Sequence, residues 1–191
     1  MPIYNDNRMF LFHPETRRLI ARGLADLVER ERIEPDVVAG TATAGIPHGA
    51  LLADLLALPF IYIRDKPKAH GLKNRIEGLD AESDLAGRRV VVIEDLISTG
   101  GSSAKAVEAV REANGRSEWC LSIFSYGLEK AAEQFASLDP PCRFASLLTF
   151  PVLLDVARSG GLLEGAQISL LESWREDPFG WGEAHGFPKD S

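Results

Sequence analysis

The stretch from Val90 to Ser103 constrains the fold of this chain more than any other feature of the sequence. It reads Val-Val-Val-Ile-Glu-Asp-Leu-Ile-Ser-Thr-Gly-Gly-Ser-Ser. The apolar run is typical of a parallel strand buried on both faces. Small residues let backbone N–H groups approach an anion, and a helix that begins there adds a favourable dipole. The pattern therefore predicts a strand with carboxylates at its end, then an anion-binding turn, then a helix.

The same stretch indicates which anion is bound. It contains neither the Gly-x-Gly-x-x-Gly of dinucleotide-binding folds nor the Gly-Lys-Ser/Thr of a nucleotide-binding P-loop. Carboxylates such as Glu94 and Asp95 can accept hydrogen bonds from sugar hydroxyls or hold a hydrated Mg²⁺. A sugar phosphate fits this combination best. The alternative is an ordinary strand-to-helix turn in which Glu94 and Asp95 are solvated.

Helices and strands alternate along the rest of the chain. We predict helices at 14–32, 46–56, 102–113, 128–138, 151–158 and 164–174, and strands at 36–40, 59–63, from Val90, 119–125 and 143–147. Such alternation predicts an α/β fold with a doubly wound, mostly parallel sheet. A chain of 191 residues without a long linker predicts a single domain, 1–191, whose C-terminal helices lie at about 150–176.

Composition excludes several classes of protein. A net charge of −7 disfavours a dedicated nucleic-acid or anionic-membrane binder. No apolar stretch approaches the ~18 residues of a membrane span, and the first residues do not resemble a signal peptide. Cys120 and Cys142 lie in no metal-ligand spacing, so we expect reduced thiols and a cytoplasmic location.

Residues 64–87 lack apolar periodicity and predict a long flexible loop. Residues 64–75 hold five of the 21 Lys and Arg residues and one of the four His. In an acidic protein such a cluster suits a highly charged anion such as pyrophosphate. The alternative is a solvated surface loop.

The stretch from Val90 to Ser103 resembles the 5-phosphoribosyl 1-pyrophosphate (PRPP) motif of type I phosphoribosyltransferases. Residues 2–8, 40–48 and parts of 62–78 are similar to orotate phosphoribosyltransferases of the short bacterial and archaeal form. The resemblance implies a type I fold with a small hood and Mg²⁺-dependent transfer of the 5-phosphoribosyl group from PRPP to orotate. The products would be orotidine 5′-monophosphate, a precursor of UMP, and pyrophosphate. It also implies a homodimer whose basic loop is shared between subunits.

The resemblance implies a role for each matching residue. Lys68, His70 and Asp95 would be catalytic. The implied PRPP- and orotate-binding residues are Arg64, Lys68, His70, Thr41, Ala42, Thr43, Ala44, Glu94, Asp95, Leu96, Ile97, Ser98, Thr99, Gly100, Gly101 and Ser102. Residues 41–44 would face pyrophosphate, Glu94 and Asp95 the ribose, and residues 98–102 the 5′-phosphate. Mg²⁺ would travel with pyrophosphate and have no direct protein ligand.

The sequence departs from this family at two places. The chain starts just before Pro2, so we expect it to lack the N-terminal helix and lysine that precede the matching segment. It also reads Tyr126-Gly127-Leu128 where some members have an arginine for the orotate carboxylate. Two other functions stay open. One is transfer of the phosphoribosyl group to a purine or another base, and the other is PRPP binding by a non-catalytic regulator.

Overall fold

In the described part of the chain, six strands form one sheet, and this sheet carries the predicted site. A computed structural model of the chain describes residues 2–65, 75–80 and 83–187. The strands are β1 (Val37–Thr41), β2 (Phe60–Ile63), β3 (Ile76–Glu77), β4 (Arg89–Ile97), β5 (Arg116–Ser125) and β6 (Arg143–Thr149). Their order is β3-β2-β1-β4-β5-β6. All neighbours are parallel except β2 and β3, which are antiparallel.

Helices cover both faces of this sheet, as the apolar strands require. They are α1 (Pro14–Arg30), α2 (Gly45–Leu56), α3 (Gly101–Glu112) and α4 (Glu129–Ala136). Val38 of β1 packs in one apolar cluster with Leu24 of α1 and Leu52 of α2. Ala39, the next residue, lies in a second cluster with Val107 of α3. Successive residues of a strand face opposite sides, so β1 contributes to both cores. The predicted α/β, doubly wound, mostly parallel fold is confirmed.

The structure corrects three details of the sequence-based prediction. β4 continues to Ile97, so Glu94 and Asp95 lie within the strand rather than at its end. The strand continues because β5 runs beside it as far as the pair Ile97–Ser125. Part of the predicted loop 64–87 is ordered, because Ile76 is a buried residue of β3 and Leu85 packs in the core. A 3₁₀ helix at Asn7–Phe12 was not predicted.

The chain divides into two compact units, Asn7–Thr149 and a second unit made of Met1–Asp6 and Phe150–Ser191. The second unit contains α5 (Phe150–Ser159), α6 (Gly165–Glu176) and the short α7 (Trp181–Ala184). The rings of Phe150 and Trp174 are 5.5 Å apart there and join α5 to α6. Both predicted C-terminal helices are present, whereas the single-domain organisation stays a prediction. Within the described ranges, no helix is long and apolar enough to span a membrane.

Candidate active site

The strand order changes direction between β1 and β4, which are neighbours in the sheet although α2, β2 and β3 separate them in sequence. In open α/β sheets, ligands bind outside the carboxyl ends of the strands at such a switch point. Gly40 pairs with Ile93 across these strands, and the next residues, Thr41 and Glu94, are hydrogen-bonded. The candidate site is therefore the edge of the sheet where β1 and β4 end.

The turn after β4 has the structure that the sequence predicts for a phosphate site. Residues 98–100 connect β4 to α3, which begins at Gly101. Gly100 has φ 78°, and an added Cβ would lie 3.1 Å from Cα of Ala131. The backbone conformation therefore favours glycine, and the close packing makes any side chain more costly. No side chain caps the start of α3, which leaves its first N–H groups available to an anion.

A second turn, residues 42–44, connects β1 to α2 at the same edge. The Ala42–Thr43 peptide bond is cis. The N–H of Ala42 donates to the carbonyl oxygen of Ile63 at 2.8 Å, which ties the turn to β2. No side chain caps the start of α2, where Gly45 and Ile46 carry N–H groups and Pro47 has none. The two helices that follow the neighbouring strands β1 and β4 thus begin at the same edge of the sheet, and helix starts attract anions.

Glu94 is the most buried ionisable group among the described residues of the site, with 7% of its surface exposed. Its Oε2 accepts hydrogen bonds from Thr41 Oγ1 at 2.6 Å and from the N–H of Asp95 at 3.3 Å. Its Oε1 accepts from Ser103 Oγ at 3.4 Å. Burial raises the pKa of Glu94 to about 7, and the adjacent Asp95 adds to this effect. The buried position therefore favours the neutral form of this carboxyl group relative to an exposed glutamate.

Asp95 is half-buried beside Glu94. Burial raises its pKa, while the positive charge of Arg8 acts in the opposite direction. The main-chain oxygen of Asp95 accepts a hydrogen bond from Nδ2 of Asn7 at 2.6 Å. Asn7 and Ser103 both contact the carboxylate segment, and sequence reasoning gave neither a role. Ser103 closes the motif and Asn7 lies in the segment 2–8 that carries the family resemblance, so both were within reach of that reasoning, although the contact of Asn7 with β4 was not.

Arg64 follows β2, the strand on the other side of β1. Its N–H donates to the carbonyl oxygen of Arg75 at 2.8 Å, and its Nη1 donates to Glu77 Oε1 at 3.1 Å. These contacts fix both ends of the basic segment at the same edge as the two turns. Lys68 and His70 lie outside the described residues.

The remaining predicted site residues differ in how they can contact a ligand. Ile97 is fully buried in the core, so any contact it makes to a ligand goes through its backbone. Leu96 is half-buried, and Thr43 and Ser102 are exposed. Within residues 2–65, 75–80 and 83–187, no three His, Cys, Asp or Glu side chains are grouped so as to hold a metal ion.

Comparisons with known proteins agree with this geometry. Residues 7–133 match the phosphoribosyl transferase domain family. The orotate phosphoribosyltransferase of Staphylococcus saprophyticus is 48% identical over 176 residues, which cover 92% of this chain and 84% of the relative.

Two solved structures share the fold. The orotate phosphoribosyltransferase of Aeropyrum pernix matches with a TM-score of 0.68 and 28% identity over 84% of this chain and 85% of that one. The enzyme of the same name from Mycobacterium tuberculosis, in complex with 5-phospho-α-D-ribosyl 1-diphosphate, has a TM-score of 0.61 and 25% identity over 78% and 83% of the two chains. The family match, the sequence identity with its coverage and the shared fold together place the chain in the orotate phosphoribosyltransferase family of phosphoribosyl transferases.

Proposed function

We propose that this protein transfers the 5-phosphoribosyl group of PRPP to N1 of orotate, giving orotidine 5′-monophosphate and pyrophosphate. The proposal rests on the arrangement of residues at the edge of the sheet where β1 and β4 end. Two uncapped helix starts lie there on neighbouring strands, with Glu94 and Asp95 in the strand that leads to one of them. A donor with a phosphate at one end, a pyrophosphate at the other and ribose hydroxyls between them matches this arrangement.

In the reaction, the bond between ribose C1 and the pyrophosphate oxygen breaks, and its electron pair leaves with pyrophosphate. The bond from orotate N1 to C1 forms, and the N1 proton is released. Little covalent chemistry is required of the protein. Its work is to position both substrates and to stabilise the negative charge that grows on the leaving group. Arg64, Lys68 and His70 are the cations that we assign to this charge, and residues 98–102 hold the 5′-phosphate.

The proposal includes Mg²⁺, which supplies positive charge to the pyrophosphate oxygens. The described side chains offer no cluster of three metal-binding groups. Oxygen-rich pyrophosphate is itself a good partner for Mg²⁺, which prefers substrate phosphates to all-protein sites. This preference of Mg²⁺ for substrate phosphates supports an ion that arrives with the substrate.

We also propose a cytoplasmic homodimer in which the basic segment of each subunit completes the site of the other. The family resemblance of residues 62–78 supports the shared segment. Cys120 and Cys142 are both free and buried, which suits a reducing compartment.

A continuous absorbance assay of orotate consumption tests the reaction. We expect turnover that requires PRPP and Mg²⁺, with equimolar pyrophosphate and orotidine 5′-monophosphate as products. Adenine and hypoxanthine, offered in place of orotate, are the matched acceptors. Turnover of a purine but not of orotate would contradict the choice of base. PRPP binding by calorimetry without turnover of any base would contradict the enzymatic function.

Mixing two inactive variants tests the shared segment. Lys68→Ala removes one cation of the basic segment, and Asp95→Asn removes a carboxylate of β4 without disturbing the fold. If Lys68 acts in the partner's site, an unfolded and refolded equal mixture regains about a quarter of wild-type activity, because half the dimers contain one intact site. Refolded wild-type protein is the control. An inactive mixture would contradict a site shared between subunits.

A further inference from the structure

The hydroxyl of Thr41 has two acceptors within reach and one proton to donate. Oγ1 lies 2.6 Å from Glu94 Oε2 and 3.2 Å from the carbonyl oxygen of Ile93. The distance to the carboxylate is that of a strong charge-assisted hydrogen bond. Thr41 itself is buried, with 5% of its surface exposed, so water does not compete for this proton. The proton of the Thr41 hydroxyl is therefore used in a hydrogen bond within the protein.

Gly45, the first residue of α2, leaves room for this hydroxyl. A Cβ at position 45 would lie 2.4 Å from Thr41 Oγ1 and 2.4 Å from the carbonyl oxygen of Ile93. Real Cβ atoms do not approach other atoms so closely, so glycine is required. The start of α2 therefore packs directly against the hydroxyl and limits where it can turn.

The two oxygens of Glu94 are held to different degrees. Oε2 accepts both the short bond from Thr41 and the N–H of Asp95. Among the described residues, the contact to Oε1 comes from Ser103 Oγ at 3.4 Å, which is long for a bond between oxygens. Oε1 consequently keeps capacity to accept another donor.

We propose that Thr41 is a positioning residue, whose hydroxyl holds Oε2 of Glu94 so that Oε1 is available to the ribose hydroxyls of PRPP. This inference rests on the proposed function, which assigns the ribose to Glu94 and Asp95. In this view Thr41 acts through Glu94, and its side chain does not contact the substrate. Thr41, which precedes the turn 42–44, thereby links that turn to β4, the strand that we assign to the ribose.

Replacement of Thr41 by residues with and without a hydroxyl tests the inference. Thr41→Val keeps the shape of the side chain and removes the donor, and we expect kcat/KM for PRPP to fall about 10- to 100-fold. Thr41→Ser keeps the donor, so it should stay within about threefold of wild type. Thr16→Val on α1 makes the same chemical change away from the site and is the matched control. Thr41→Ala provides a second hydroxyl-free variant if the valine variant folds poorly.

A pH profile separates positioning from a general structural effect. The acidic limb of kcat/KM should move to higher pH in Thr41→Val, because its carboxylate loses a donor, and return in Thr41→Ser. Asp95 and Cys120, which also interact electrostatically with Glu94, are unchanged in all variants.

Unchanged kinetics and profile in Thr41→Val, or an equal loss in Thr41→Ser, would overturn the inference. Absence of orotate turnover in the wild type would instead contradict the proposed function. In that case the Thr41 variants would be compared by their dissociation constants for PRPP, measured by calorimetry.

Discussion

Nδ2 of Asn7 lies 2.6 Å from the main-chain oxygen of Asp95, which joins the 3₁₀ helix Asn7–Phe12 to β4 across 88 positions of sequence. Asn7 is 1% exposed, so this bond is shielded from water. A strand at the sheet centre normally directs its carbonyl groups to its neighbours. Here one carbonyl is held by a side chain from the start of the unit, and it belongs to the residue that we assign to the ribose.

Asn7→Ala should lower the free energy of unfolding by about 1–2 kcal/mol, because a buried carbonyl group loses its donor. Asn7→Asp keeps the shape but places a carboxylate oxygen against that carbonyl, so its loss should be larger. Urea denaturation at pH 7 measures both. An Asn7→Asp protein as stable as wild type would show that the contact has no energetic weight.

Asp95→Asn should reduce activity while leaving the fold intact. The residue is half-buried at the site edge and is not part of the core, so we expect a change in unfolding free energy below about 1 kcal/mol. Loss of a charged contact to the substrate should lower kcat/KM for PRPP about 100-fold. Circular dichroism and steady-state kinetics check the two parts. A variant that unfolds would instead assign Asp95 a structural role.

Glu94 should make stability fall as the pH rises toward neutrality. Burial raises its pKa from 4.5 to about 7 in the folded protein. Between these values the folded state keeps a proton that the unfolded chain has released, so stability is full below pH 4.5 and is lost as pH passes about 7. The loss is on the order of 3 kcal/mol.

Glu94→Gln isolates this contribution, because the amide does not titrate. Urea denaturation of both proteins at pH 5 and pH 8 is expected to show wild type losing more stability than the variant over this interval. Other titrating groups, such as His48, are present in both proteins and largely cancel. A difference that does not change with pH would mean that Glu94 is ionised throughout.

His48 should have the opposite effect and make the free energy of unfolding decrease as the pH falls. It lies in α2 with 1% of its surface exposed, and Nδ1 has no hydrogen-bond partner among the described residues. Burial lowers its pKa, with a smaller contribution from Arg17, so the folded state keeps the ring neutral. Below the ordinary value of 6.5 the unfolded chain takes up a proton, so this residue makes stability fall as pH falls.

His48→Leu removes both the unpartnered nitrogen and the titration. We expect it to match or exceed wild-type stability at pH 7, by up to about 1 kcal/mol, and to gain further at pH 5.5. Thermal denaturation at the two pH values measures the difference. A large loss at pH 7 would indicate that the ring makes a polar contact in the functional assembly.

Lys68→Ala tests the cation assigned to the leaving pyrophosphate. Removal of one preorganised charge at a growing anion costs about 3 kcal/mol, so kcat should fall about 100-fold. Lys73 lies in the same basic segment and has no assigned contact, which makes Lys73→Ala the matched control. Full kcat in Lys68→Ala, or an equal loss in both variants, would remove Lys68 from the mechanism.

Much of the fold followed from local sequence. The run from Val90 to Ile93 is apolar on both faces, so it required a covered parallel strand, and the glycines at 100 and 101 marked the turn into α3. Sequence reasoning ended β4 too early, because it placed Glu94 and Asp95 at the end of the apolar run, whereas pairing with β5 continues the strand to Ile97. It missed β3 because a strand of two residues is too short to show a periodic pattern.

The sequence by itself determined the alternation of the main strands and helices, the two small-residue turns and the presence of paired carboxylates after an apolar run, because each depends on neighbouring residues. Tertiary structure decided how those carboxylates behave. The burial of Glu94 under Thr41 and Ser103 raises its pKa, and Asn7 and Gly45 reach β4 from distant parts of the chain. Desolvation and hydrogen bonds between residues far apart in sequence exist only once the sheet has formed, and no local pattern encodes them.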